Sequence, residues 1–263
     1  MNSPIISILT TVYNREKYLA ECIESVQNGH FQDYEHIIVD DGSNDGSVAL
    51  AQAYAAKDAR IRVYQNETNL GDYPNRNQAA AHATGKYLKY VDADDLIYPW
   101  GLQILWDCME RFPEAGWGLC SLAQDKARPF PFVLDTAEAY RYHYLGPGLF
   151  HKAPLSSIIK KDLFESVGGF EPYSHAGDYA MWHKLSLKSP ALCMSHGIVW
   201  YREHDDQSSN SQHLHKQQYH DIKLIFLANP ENKLDEKDFL NIQKRDRRNK
   251  IKTRILNQIQ KFR

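Results

Sequence analysis

Lys86-Tyr87-Leu88-Lys89-Tyr90-Val91-Asp92-Ala93-Asp94-Asp95 sets a β-rich run against three carboxylates at its exit. Carboxylates crowded at the end of a buried strand repel one another and lose hydration. A fold keeps such a cluster most readily around a cation. Asp92 and Asp94, one residue apart, suit a hard divalent metal that keeps open positions for phosphate oxygens. An earlier run, Ile37-Ile38-Val39, ends in the same manner at Asp40-Asp41-Gly42-Ser43. Two acidic strand ends in the first half of the chain point to a metal-dependent phosphate site.

Outward from that strand, the first 120 residues alternate between strand and helix patterns. Ile5 to Val12 is β-rich, and Tyr18, Leu19, Cys22, Ile23 and Val26 then recur at helical spacing. Asp45 is placed to cap a helix with Val48, Ala51, Tyr54 and Ala55 inward. Ile61 to Tyr64 reads as a strand, Ala79 to Ala83 as an alanine-rich helix, and Gly116 to Cys120 as a strand after a helix marked by Leu102, Leu105, Trp106 and Met109. Repeated βα units with apolar strands predict an α/β fold with a mostly parallel sheet covered on both faces. Ligands of such sheets bind beyond the carboxyl ends of the strands, so Asn14, Asp40, Asp41 and Asp92 to Asp95 should converge on one edge.

Beyond Cys120 the alternation fades. Pro129, Pro131, Gly146 and Gly148 make residues 121–150 read as loops over a site. Order returns at Leu163, with Gly168-Gly169-Phe170 and then a helix carrying Tyr179, Trp182 and Leu185. The chain thus divides into a binding half (1–120), a second half of the same domain (121–215) and a helical basic extension (216–263). Residues 244–263 hold nine Lys or Arg against one Asp, with Ile251, Ile255, Ile259 and Phe262 forming a stripe. That helix suits an anionic membrane surface equally with packing on the domain or on a partner in a homodimer.

A net charge of −2 argues against a polyanion-gripping protein, so no nucleic-acid partner is expected. Cys22, Cys108, Cys120 and Cys193 form no CxxC pair, which points away from a zinc site or disulfide framework and toward a reduced compartment. With no apolar run of spanning length, the expected location is cytoplasmic or peripheral on the inner face of the cytoplasmic membrane.

The ordered motifs Thr11-Val12-Tyr13-Asn14-Arg15, Asp40-Asp41-Gly42-Ser43, Asn69-Leu70-Gly71, Asn75-Arg76-Asn77, Gly85-Lys86-Tyr87, Asp92-Ala93-Asp94-Asp95, Gly168-Gly169-Phe170, Asp178 and Tyr201-Arg202-Glu203-His204 resemble the inverting family 2 glycosyltransferases of bacterial cell-surface polysaccharide synthesis. The resemblance runs from about residue 5 to about residue 210. It implies a Rossmann-like GT-A fold and a nucleotide-sugar donor, most often a UDP-sugar. Thr11, Tyr13, Asn14, Arg15, Asp40, Asp41, Arg76, Asp92 and Ala93 would then contact the donor, with Asp40 or Asp41 accepting hydrogen bonds from base or ribose and Tyr13 against the base. Arg76 would offset diphosphate charge with its planar fork. Asp92, Asp94 and His204 would face Mn2+ or Mg2+, and Asp95 would support them or cap the next helix. Asp178 would be the base that deprotonates a hydroxyl of a saccharide or lipid-linked acceptor. Here the chain departs from the family, since Gly177 stands where an acid commonly precedes that Asp.

Bland readings exist for several of these: packing for Tyr13, a turn for Asp41-Gly42-Ser43, a solvated helix for Arg76, an N-cap for Asp178 and a structural role for a lone His204. A phospho-receiver domain is a rival, because it too pairs acids after one strand and adds another later. It leaves the second half unexplained. A non-catalytic nucleotide-sugar binder remains the alternative, while the absence of GxGxxG and GxxxxGK[ST] disfavours a dehydrogenase and a P-loop NTPase.

Overall fold

The computed structural model describes residues 3–173, 175–204 and 215–260, with side chains through Arg248. β1 (Ile6–Val12) is buried at every position except Thr11, and α1 (Glu16–Gln27) buries Leu19, Cys22, Ile23 and Val26, the stripe its spacing predicts. β2 (Tyr34–Asp40) is buried throughout; α2 (Ser47–Ala55) and β3 (Ile61–Gln65) follow. Asp45 accepts from Ser47 N–H at 3.0 Å and from Glu16 N–H at 3.0 Å, so one carboxylate ties the starts of α1 and α2 together.

α3 (Asp72–Ala81) begins seven residues before the alanine-rich stretch at Ala79. Its first turn carries Asp72, favoured by the helix dipole, and Pro74, which needs no hydrogen-bond partner there. The apolar pattern missed this turn because its inward residues are Tyr73, Asn75 and Arg76, all buried. β4 (Tyr87–Tyr90) is wholly buried and pairs parallel with the other side of β1.

β5 (Leu96–Ile97), α4 (Gly101–Arg111) and β6 (Trp117–Leu119) come next. The loops expected over 121–150 are only partly loops: β7 (Phe132–Leu134) forms the sheet edge and α5 (Thr136–Tyr144) packs beside it. A capping box starts α5, with Asp135 accepting from Glu138 N–H at 2.8 Å and Glu138 from Asp135 N–H at 3.0 Å. The prolines and glycines flank these elements rather than interrupt them. Tyrosines on more than one side of α5 (Tyr140, Tyr142, Tyr144), all buried, hid its periodicity.

β8 (Ser157–Lys160) inserts antiparallel between β4 and β6; α6 (Lys161–Ser166), α7 (Gly177–Lys188) and β9 (Ala191–Cys193) follow. One sheet of order β3-β2-β1-β4-β8-β6-β9-β7 results, mostly parallel and flanked by helices. From β1 the chain builds outward through β2 and β3, then returns to place β4 on β1's far side. This reversal opens a crevice over the carboxyl ends of β1 and β4.

β10 (Val199–Trp200) pairs antiparallel with β5, and α8 (Lys216–Ala228) and α9 (Glu236–Gln260) end the described chain. The side chains of Ile251, Ile255 and Ile259, and Phe262 itself, lie outside the described residues. Among the described residues no helix is long and apolar enough to cross a membrane.

Candidate active site

A cleft of about 400 Å³ lies over the ends of β1, β2 and β4. Of the residues marked out by the sequence, Thr11, Tyr13, Arg15, Asp41, Arg76, Asp92, Ala93, Asp94 and Asp178 line it. Asn14, Asp40 and His204 are not part of that lining.

The β2 corner is held by local hydrogen bonds. Asp40 turns one oxygen back on its own loop, accepting from Gly42 N–H at 3.1 Å and Ser43 N–H at 2.9 Å. It forms the turn, and of the two acids expected to meet base or ribose only Asp41 lines the cleft. Asp41 accepts from Asn66 Nδ2 at 2.8 Å, Leu70 N–H at 2.9 Å and Gly71 N–H at 2.9 Å, which folds the 66–71 loop against the cleft. Asn14, at φ 53°, likewise joins loops: its side chain accepts from Asn44 N–H and its own N–H donates to Ser43 Oγ, both at 2.9 Å.

The β4 corner is held by charge. Arg76 donates to Asp92 at 2.6 Å and to Asp72 at 2.8 Å, and Arg15 donates to Asp94 at 2.9 Å. Burial pushes the Asp92 carboxyl up despite Arg76, and burial with Asp92 nearby pushes Asp95 up to about 8. The β5–β10 ladder folds residues 201–204 back over this corner. There Arg202 N–H donates to Asp95 at 2.8 Å, its guanidinium donates to the Asp94 carbonyl at 2.9 Å, and His204 Nε2 sits 3.0 Å from Asp94 Oδ2. Asp95 therefore supports the corner, and the helix that follows has no side-chain cap.

Among the described residues no three His, Cys, Asp or Glu side chains are gathered so that they could hold a metal ion. The pair Asp94 Oδ2 and His204 Nε2 nevertheless has the separation of two ligands at right angles on an ion with bonds of about 2.1 Å. Asp92, whose Oδ1 accepts from Arg76, would have to turn from that arginine to join them as a third ligand.

Across the cleft, Asp178 stands in the first turn of α7, and burial pushes its carboxyl up to about 6. Its Oδ1 accepts from Tyr179 N–H at 2.7 Å and from the Tyr73 hydroxyl at 3.3 Å. The turn before α7 is fixed by Asn77, whose amide exchanges two 2.9 Å hydrogen bonds with the backbone of Phe170. Gly169 is required there, because at φ 68° a Cβ would lie 2.6 Å from Asn77 Oδ1. Sequence reasoning missed Tyr73 and His175, which also line the cleft. Tyr73 had one signal, its place between Gly71 and Arg76; His175 had none.

Against known proteins, a model described as Glycosyl transferase family 2 matches residues 7–168. The putative glycosyltransferase EpsE of Bacillus subtilis is 42% identical over 101 residues, covering 38% of this chain and 36% of EpsE. The putative teichuronic acid biosynthesis glycosyltransferase TuaG of the same organism is 38% identical over 92 residues, covering 35% of this chain and 36% of TuaG. The matches thus span about a third of the length of these relatives. S. aureus TarS in complex with UDP-GlcNAc superposes with a TM-score of 0.67 at 20% identity, over 84% of this chain and 65% of that one. The mannosyltransferase PcManGT of Pyrobaculum calidifontis in complex with GDP-Man and Mn2+ gives 0.66 at 17% identity, over 83% and 62%. At such identities the likeness is one of fold, the α/β arrangement of the GT-A type. The family match takes in more than half of the chain, from β1 through α6, and the chain therefore belongs to glycosyl transferase family 2.

Proposed function

We propose that this chain is a metal-dependent, inverting glycosyltransferase that moves a sugar from a nucleotide-sugar, with UDP as first candidate carrier, to a saccharide or lipid-linked saccharide of the cell surface. One observation carries the reading: a single cleft sets the buried carboxylate Asp178 against the strand-end carboxylates Asp92 and Asp94 with their arginines. TarS with UDP-GlcNAc supports a UDP-sugar, PcManGT with GDP-Man and Mn2+ supports the metal and keeps GDP open, and the description of TuaG supports polysaccharide synthesis.

In this reading Tyr13, exposed at the cleft mouth, lies against the base, and Asp41 shapes the loop that receives the nucleoside. Asp92, Asp94 and His204 would hold Mn2+ or Mg2+, which as a Lewis acid offsets charge on the departing diphosphate. Arg15 and Arg76 keep the carboxylates oriented and can turn their donors toward phosphate oxygens. Asp178 takes the proton of the acceptor hydroxyl as that oxygen attacks the anomeric carbon from the face opposite the leaving group. Both of its described hydrogen bonds go to Oδ1, so Oδ2 is available for this proton.

Only the ionised carboxylate can act as base. With its pKa raised to about 6, log kcat should climb as pH rises toward 6 and level off above it. Asp178→Asn should reduce transfer about a hundredfold or more while donor binding survives. Because burial disfavours the charged form, the variant should melt no lower than the parent. Unchanged turnover in Asp178→Asn would remove the base from this account.

A further inference from the structure

Gly177 directly precedes the proposed base, and the space that a side chain there would fill is already occupied. A Cβ built on Gly177 would lie 2.6 Å from Cγ and Cδ2 and 2.7 Å from Cδ1 of Tyr73. Three ring atoms at that range mean that the aromatic face lies flat on the glycine, and no side chain at 177 is compatible with Tyr73 in this position. The ring itself is fixed: Tyr73 is 5% exposed, packs on Phe170 with centroids 5.5 Å apart, and Phe170 is held through its backbone by Asn77. From this seat its hydroxyl reaches Asp178 Oδ1 at 3.3 Å.

The geometry points to Tyr73 as the positioning residue of the base, a phenol from the first turn of α3 that is admitted by Gly177. The inference rests on the assignment of Asp178 as base. Tyr73 donates to Oδ1, the oxygen that also accepts from Tyr179 N–H, and so sets the carboxylate plane and leaves Oδ2 toward the acceptor. A neighbouring acid could only repel an ionised Asp178 or share its proton, whereas a phenol donates to the charged form and favours it. Burial raises the Tyr73 hydroxyl far above its ordinary range, so it stays a donor at every working pH. The same helical turn carries Arg76, which grips Asp92. One turn of α3 thus holds both the leaving-group corner and the base.

The charged and titratable groups that face Asp178 are Tyr73, Asp72 and Arg76 from α3 and Tyr219 from α8, with His175 lining the same cleft. Tyr73→Phe removes only the hydroxyl from this set and keeps the ring on Gly177. Loss of that donor disfavours the ionised carboxylate, so the acidic limb of the kcat–pH profile should move to higher pH by about half a unit to one unit. On the plateau kcat should fall about threefold to tenfold with donor KM unchanged. Gly177→Ala should reproduce the loss by pushing the ring away, yet cost little more when added to Tyr73→Ala, a non-additivity that a double-mutant cycle reads directly. An unmoved pH limb in Tyr73→Phe, or additive effects of Gly177→Ala and Tyr73→Ala, would overturn the positioning role. Asp178→Asn run in parallel separates the two claims: if that variant keeps its turnover the base assignment fails, and if it is inactive while Tyr73→Phe is normal only the inference fails.

Discussion

At the end of β2, Asp40 and Asp41 accept hydrogen bonds from five N–H groups of their own and neighbouring loops. At the end of β4, Asp92 and Asp94 meet the guanidinium groups of Arg76 and Arg15 and the imidazole of His204. The two corners look alike as sequence, acids following a buried parallel strand. They differ in what satisfies the charge. Four of the five are backbone N–H groups, fixed by the chain, and the fifth is the Asn66 amide, so Asp40 and Asp41 are built into the loops they hold. Side-chain cations can turn away, so in the proposed function the β4 carboxylates would exchange them for a metal and a diphosphate. Burial also pushes Asp92 and Asp95 up, the mark of a site that gains from an added cation.

Breaking the charge-held corner should give the largest effect. Asp94→Asn removes a ligand charge, and kcat/KM should fall by about two orders of magnitude or more with little change in the urea midpoint. Breaking the hydrogen-bonded corner should do the reverse. Asp41→Asn turns an amide donor toward N–H groups of the 66–71 loop, which costs about 1–3 kcal/mol and lowers the urea midpoint. Its turnover should fall less than that of Asp94→Asn. Equal stability losses in the two variants would erase the distinction drawn between the corners.

The sequence carried the first half of the fold well, because β1, α1, β2 and β4 follow plain apolar periods and β2 and β4 run into acids. It carried the second half poorly. β8 and β9 run for only four and three residues, too short for a period, and α5 presents tyrosines where aliphatic residues would have marked a stripe. Within the cleft, single residues were legible as chemistry but not as geometry. Asp40 and Asp41 are indistinguishable on paper, and only the path of the 66–71 loop assigns one to the turn and the other to the cleft. Tyr73 and Asp178 are 105 residues apart, and Gly177 looked like a lost acid until the ring lying over it was seen.

The central claim is that the β4 corner binds a nucleoside diphosphate through a divalent cation. Thermal unfolding of the wild-type chain and of Asp94→Asn, with UDP, dTDP or GDP and with Mn2+ or EDTA, tests it most directly. Ligand that binds the folded state alone raises the melting temperature by mass action. The account predicts that one nucleotide raises it in the wild type with Mn2+, that EDTA removes most of the shift, and that Asp94→Asn lacks the metal-dependent part. A shift of equal size in EDTA, or one retained in full by Asp94→Asn, would contradict it.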